Sequence, residues 1–391
     1  MTSFLLRLKR FCGYLFGLVY FLSGLLKLMD PVGAGLVMKE YFDFLLIGFM
    51  APTAKFFGVT FALAETIVGA ALVTGVWRRL FGLIAVIMQS AFTVVTTLLL
   101  IFNPEMDCGC FGEAIHLTHL QTFTKNLILL ALILLFYIPR KHLGEPKTRK
   151  YVSFGIVSLS VIGFMIHSLI SIPPVDYTAY KPGAELLAAT VNGGDEIYEA
   201  VFTYEKDGIT QNFTLKNLPD SSWTFISTET RMKASIKDST IELSMYDPQS
   251  QSYADTLATK GKVMVISVYN PDIRAKKWKK IDKVAKTSME NGIRTYVLTT
   301  DYEPVPEGLK NIAYTCDYKT LVSLNRSNGG ATYFYNGTLI KKWSRRTLPS
   351  AEELKKSTTD DPTEAAIDYQ SKGSLGFQGF LLYVFAVLLL L

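Results

Sequence analysis

Six apolar runs decide most of what this chain can become. They lie at about 11–29, 56–76, 80–102, 122–138, 151–172 and 376–391. Each approaches the roughly 20 residues that a helix needs to cross about 30 Å of hydrocarbon. Lipid offers no partners to backbone N–H and C=O groups, so runs of this length are expected as membrane-spanning helices. The last, "GFQGFLLYVFAVLLLL", is slightly short for a crossing. A further patch, "YFDFLLIGFM" at 41–50, is too short to span and reads as an interfacial or re-entrant piece. The first run invites comparison with a secretion signal, but "VYFLSGLLKLMDPVG" offers no small-residue cleavage pattern, so a retained helix is expected.

Composition agrees with a chain of two natures. Of 391 residues 49% are hydrophobic and the mean hydropathy is +0.24, yet 19% are charged. That is too apolar for an ordinary soluble protein and too charged for a bare helical bundle, so a membrane part is joined to a soluble part. The net charge of +6 sits largely in short loops: Arg7, Lys9 and Arg10, then Arg78 and Arg79, then Arg140, Lys141, Lys147, Arg149 and Lys150. All three groups fall on one side of the six-span arrangement, which the bias of lysine and arginine toward the cytoplasm makes the inner side. The N-terminus is then cytoplasmic, while the loop at 103–121 and the polar region 173–374 lie outside. Basic residues placed this way give no reason to expect nucleic-acid binding.

Between the third and fourth runs stands "EMDCGCFGEAIHLTHLQ", 105–121, which holds two of the four cysteines and two of the four histidines. Three chemistries compete for it. Cys108 and Cys110, one glycine apart, can close a small strained disulfide of the labile, oxidising kind. Outside the cell membrane such a pair persists oxidised. The loop stands at the mouth of a helical bundle able to hold a quinone as electron acceptor, although Asp107 and Glu113 would work against a reactive thiolate. Alternatively, Cys108, Cys110, His116 and His119 make a Cys2His2 set for zinc or another soft metal, with the histidines on one face if the segment is helical. The third reading is a structural loop. Which cysteine attacks and which resolves is open at this level.

Polar groups inside the spans also need accounting. Glu65 lies mid-helix, where a charge is costly and normally paired or functional. Lys27 lies near the outer end of the first span and can snorkel to the interface. A Lys27–Glu65 contact would satisfy both, but the sequence register sets them at different depths. Gln89 and His167 read as helix–helix hydrogen-bonding groups.

The outside region begins with alternating strand patterns over 185–250, including a hairpin about Asp207-Gly208. From 262 it runs strand "KVMVISV", helix "IRAKKWKKIDKVAKTSMENG" stopped by Gly292, strand "RTYVLTT", helix "DYKTLVSLNRS" capped by Asp317, a hairpin turning at Asn336-Gly337, and helix "PSAEELKKS". This order resembles the thioredoxin-like fold. Active members carry cysteine after the first strand and a cis-proline before the hairpin. Here those places read "YNPDIRAKKW" and "NGGATYF", so the resemblance implies a docking module without dithiol chemistry. Cys316 reads as a small buried hydrophobe.

The membrane half, about 7–140, resembles the DoxX/MauE group of four-helix membrane proteins. The resemblance rests on "FLSGLLKLMDP" with Ser23, Gly24 and Lys27, on "ALAETIVGAALVTG" with Glu65, Gly69 and Gly75, and on "DCGCFGE". It implies a redox-associated inner-membrane protein of Bacteroidetes type, with an exported or periplasmic client and a bundle fused to an extracytoplasmic domain. The expected architecture is a membrane all-α bundle of four helices plus two further spans, joined to an α/β thioredoxin-like soluble domain. Its parts are 1–140 for the bundle and 141–172 for a basic loop and fifth span. A β-rich lead-in covers 173–250, the thioredoxin-like part 251–374, and a final span 375–391. The candidate redox residues are Cys108 and Cys110, with Glu65 and Lys27 as the intramembrane polar pair. A non-enzymatic scaffold with a partner-docking domain is the rival expectation, and the sequence leaves the oligomeric state open.

Overall fold

The structure, a computed structural model, describes residues 3–106, 108–138, 146–187, 198–206, 209–214, 217–220, 222–232 and 240–390. It divides into two compact units. One comprises Met1–Thr178, Trp343–Thr347 and Asp368–Leu391; the other comprises Ala179–Lys342 and Leu348–Ile367.

In the first unit the apolar runs become helices α1 (Ser3–Met29), α3 (Ala54–Thr74), α4 (Arg78–Phe102), α5 (His119–Tyr137), α6 (Thr148–Ile170) and, from Asp368 onward, a terminal helix, Pro362–Leu390. Among the described residues six helices are long and apolar enough to cross a membrane. With its apolar surfaces this is a multi-pass membrane protein. On α4, Gly82, Ala85, Gln89, Thr96 and Leu99 are buried, while Leu80, Leu83, Ile87, Val94 and Ile101 form an exposed stripe. Both sets recur at helical spacing, so one face packs inward and the other suits lipid. Four threonine hydroxyls within the spans close onto their own helices: Thr66, Thr74, Thr93 and Thr97 each donate to the carbonyl four residues back. No water is then needed to satisfy them.

Two elements depart from the sequence reading. Residues 31–44 form a separate helix, α2 (Pro31–Phe44), and Gly48–Thr53 is a 3-10 turn leading into α3. The patch at 41–50 is therefore the end of one helix and the start of a turn. Its signal was Asp30-Pro31: the Asp30 carboxylate accepts from Gly33 N at 2.9 Å and Pro31 takes the first helical turn, where its missing N–H costs nothing. The terminal helix likewise begins well before its apolar run. There Asp361 accepts from Thr363 N and Glu364 N, each at 2.9 Å.

Close approach of α1 to α3 depends on glycine. A Cβ on Gly24 would meet Thr66 Oγ1 and, at 2.5 Å, Ala62 O; one on Gly69 would meet Phe21 N and, at 2.6 Å, Gly17 O. Small residues at such crossings let helix backbones touch, which is where packing energy comes from in lipid.

The second unit is built on two sheets. A three-stranded sheet contains β3 (Tyr198–Lys206), β4 (Ile209–Thr214) and β5 (Thr224–Met232) in the order β4-β3-β5. The Asp207-Gly208 turn itself lies outside the described residues, but Lys206 and Ile209 pair on either side of it. The larger, nine-stranded sheet centres on β9 (Lys262–Val268), with β10 (Arg294–Thr299) parallel on one side and β12 (Gly330–Tyr335) antiparallel on the other. Val263 to Val268 are all buried, which explains why "VMVISV" shows no alternation. Helix α7 (Ala275–Glu290) connects β9 to β10 and buries Trp278, Ile281, Val284 and Ala285. Beyond β10 come α8 (Glu307–Lys310), β11 (Ala313–Thr315) and α9 (Tyr318–Leu324), whose first turn is capped by Asp317 accepting from Thr320 N at 2.9 Å. Hairpin β12–β13 (Thr338–Trp343) turns on Asn336 and Gly337 with φ of 48° and 81°, the left-handed pair that a two-residue hairpin needs. Helix α10 (Ala351–Thr359) follows. Two-residue strands β2 (Glu185–Leu186), β6 (Thr240–Ile241), β7 (Tyr246–Asp247) and β8 (Ser252–Tyr253) extend the sheet at its edges.

Candidate functional site

The site lies in the first unit, where the loop between α4 and α5 folds back over α1 and α2. Its two anchors follow from local sequence. Helix α4 ends on Asn103 in the left-handed conformation with Pro104 after it, a usual helix stop. Helix α5 starts with a capping box: Thr118 Oγ1 accepts from Gln121 N at 3.2 Å, and Gln121 Oε1 accepts from Thr118 N at 3.0 Å. That box makes His119 the first residue of α5 and fixes where its ring stands.

Between the anchors, Gly109 adopts a φ of +57°, and a Cβ there would run into Val37. The central residue of the C-G-C string must therefore be glycine on two counts. Short strand β1 (Cys110–Glu113) follows. Both cysteine carbonyls are held by hydroxyls from the helices beneath. Tyr41 donates to Cys108 O at 2.6 Å and Ser23 donates to Cys110 O at 2.7 Å. Both carbonyls are satisfied in this way.

Cys108 Sγ stands 3.1 Å from His119 Nδ1, and His119 Nε2 is 2.9 Å from Pro104 O. A carbonyl can only accept, so Nε2 carries the hydrogen. Neutral His119 then offers the lone pair of Nδ1 to the Cys108 thiol, and the charged ring offers Nδ1–H to its thiolate. This thiol–imidazole pair was not expected from the sequence, where His119 figured only as a metal ligand. The Thr118/Gln121 spacing and Pro104 were the available signals.

Beneath the loop Lys27 and Glu65 meet. Lys27 Nζ is 2.7 Å from Glu65 Oε2 and 3.3 Å from Ser23 Oγ. The difference in depth expected from the sequence is closed by the tight α1–α3 crossing and by the long lysine arm, which turns inward. Ser23 has one hydrogen, which it gives to Cys110 O, so it accepts from Lys27. The order Glu65, Lys27, Ser23, Cys110 carbonyl is thus a continuous polar chain. A second chain crosses the bundle lower down: Tyr20 OH donates to Gln89 Oε1 at 2.8 Å, Gln89 Nε2 to Asn126 O at 2.9 Å, and Asn126 Nδ2 to Thr96 Oγ1 at 3.2 Å. Gln89 is thereby a helix-bridging group. His167 sits on an exposed face of α6, near Ser171, the residue that follows the helix.

Both chains and both cysteines border one cavity of about 310 Å³. Its remaining walls are mostly apolar, among them Val37, Phe61, Phe92 and Leu129, with Tyr41 and Lys125 as the polar exceptions. This is the small end of ligand-sized pockets, with few convergent polar groups on a hydrophobic lining.

The four-residue metal set is not assembled. His116 is in an exposed stretch outside any helix, so it does not share a helical face with His119. No group of three or more metal-ligating side chains comes together among the described residues. Asp107 lies outside the described residues. In the second unit Cys316 is buried, with its Sγ 3.0 Å from Leu243 O. Burial, then the nearby Asp317 and Asp255 charges, push its thiol up to about 12.

Residues 4–139 match the family model described as methylamine utilisation protein MauE. Residues 198–234, which cover the three-stranded sheet, match a domain of unknown function, DUF8463. No curated protein and no solved structure matches the chain. Residues 4–139 are thus a MauE-like membrane domain, and the second unit is sheet-rich.

Proposed function

We propose that this protein carries out thiol–disulfide exchange at the outer face of a bacterial inner membrane, oxidising or maturing exported proteins. Cys108 and Cys110 form the redox pair, and a quinone in the bundle cavity receives the electrons. The observation that carries the reading is the shared cavity: both cysteines and the Lys27–Glu65 pair border one small apolar-walled space. A quinone ring needs apolar walls with hydrogen-bonding groups at its edges, and Lys27, Gln89 and Asn126 are of that kind. Such a molecule supplies a two-electron, two-proton acceptor. The family matched by residues 4–139 is named for methylamine utilisation, and redox-linked maturation is in keeping with that name.

The second unit is the client-binding part in this scheme. Its parallel β9–α7–β10 unit beside an antiparallel β12–β13 hairpin supports a thioredoxin-like reading. The segment after β9 has no cysteine, so the unit would bind rather than react. The N-terminus is cytoplasmic and 173–374 is periplasmic, in keeping with the lysine and arginine bias. The same missing cysteine favours a second reading, a scaffold whose soluble unit docks a partner while the bundle anchors a complex.

The test is turnover in purified membranes, with dithiothreitol as donor and decylubiquinone as acceptor. Exchange requires that Cys108→Ser and Cys110→Ser each abolish turnover. Undiminished turnover in both variants leaves only the scaffold.

A further inference from the structure

The two cysteines are not equivalent. Cys108 is buried, 3% exposed, and its sulfur faces a ring nitrogen; Cys110 is only half-buried and begins β1. Resting on the exchange reading above, we infer that the two divide the work. Cys110 meets the client thiol, and Cys108, paired with His119, is the leaving thiol that passes the electrons inward.

The chemistry follows from access and from the tautomer. A client thiolate attacks Cys110 Sγ, forming the client–Cys110 bond and breaking the Cys108–Cys110 bond. The electron pair leaves on Cys108 Sγ. A thiolate leaves faster where a neighbouring cation or proton meets its charge. His119 Nδ1–H is at hydrogen-bonding distance for that purpose, and Pro104 O holds the ring so that Nε2 keeps its own hydrogen. The client's second thiolate then attacks the client sulfur of the mixed disulfide. The client departs oxidised and Cys110 is released reduced. Both cysteines now hold the two electrons, which a quinone in the cavity accepts with two protons as the Cys108–Cys110 bond re-forms. The reverse assignment would require a protein client to reach the buried sulfur first. It would also leave the imidazole beside the attacked sulfur instead of beside the departing one.

The test is competitive labelling of the reduced full-length protein in membranes with a water-soluble maleimide, located by peptide mass spectrometry. Cys110 is expected to react at least about tenfold faster than Cys108, because burial of Cys108 outweighs the thiolate stabilisation that His119 gives it. Two His119 variants separate chemistry from support. His119→Gln keeps a donor for Pro104 O but loses the basic nitrogen, and His119→Ala loses both. Both should slow Cys108 labelling to a similar extent and leave Cys110 labelling unchanged. Full Cys108 reactivity in His119→Gln, or Cys108 labelling ahead of Cys110 in the wild type, overturns the division. The turnover assay keeps the two levels apart. If turnover needs both cysteines while Cys108 labels first, only the division falls. If turnover needs neither, the exchange reading falls with it.

Discussion

Removing one partner of the Lys27–Glu65 pair should be among the most damaging single changes in the bundle. At 2.7 Å and an effective dielectric of about 20, two unit charges attract by roughly 6 kcal/mol before any other cost is counted. Glu65→Gln removes that attraction but leaves Lys27 its contact with Ser23 Oγ at 3.3 Å. That contact is present in both proteins, but the glutamine amide oxygen can accept from Lys27 in place of the carboxylate; a hydrogen bond to a charged group is worth roughly 2 kcal/mol, so the net loss should be about 4 kcal/mol. That agrees with the 3–5 kcal/mol typical of a broken buried pair. Lys27→Met should cost about as much, because Glu65 is left with its side chain only 5% exposed. The double variant Lys27→Met/Glu65→Leu should recover most of the loss, since two apolar side chains leave no stranded charge. The assay is unfolding of the purified protein in mixed micelles on titration with sodium dodecyl sulfate, followed by helical circular dichroism. The four proteins form a double-mutant cycle. Single variants within about 0.5 kcal/mol of wild type would mean that the pair carries no such energy, because that is the range of surface substitutions. A double variant as unstable as the sum of the singles would mean the same.

Other outcomes follow from the same geometry. Gly109→Ala must adopt a φ of +57° and press its methyl group against Val37. It should cost roughly 1–3 kcal/mol and disturb the maleimide pattern of both loop cysteines, whereas Val37→Ala alone should leave that pattern intact. Cys316, with its thiol pushed up to about 12, should resist iodoacetamide at pH 8 in the folded protein and react only on unfolding. Its folded-state value lies above the ordinary 9.0, so the stability it contributes is present below pH 9 and declines toward pH 12. Cys316→Ala should flatten that alkaline decline in denaturation curves.

Much of the architecture was legible because its signals are local. Six apolar runs correspond to six helices, Gly292 ends α7, Asp317 caps α9, and Asn336-Gly337 turns the last hairpin. Helix α2 is not visible in hydropathy, which carries no mark of its Asp30-Pro31 start. Strands β2, β6, β7 and β8, two residues each, carry no periodicity to read; neighbouring strands define them. The site was half legible. Cys108, Cys110, Lys27 and Glu65 stand out as residue types in unusual places. What joins them is long-range: Ser23 reaches Cys110 across 87 residues, and Tyr41 reaches Cys108 across 67. The pairing of Cys108 with His119 depends on a loop that doubles back between a left-handed Asn103 and a capped Thr118, and no linear spacing encodes that.

Acid-quenched thiol trapping in native membranes decides whether Cys108 and Cys110 cycle. Alkylation before and after dithiothreitol, with peptide mass spectrometry, reads the state of each cysteine. A cycling pair is expected to be oxidised at rest, reduced by dithiothreitol, and reoxidised when the reductant is removed in the presence of quinone. A pair that keeps one state throughout, in membranes where Cys108→Ser/Cys110→Ser supports full function, would contradict cycling.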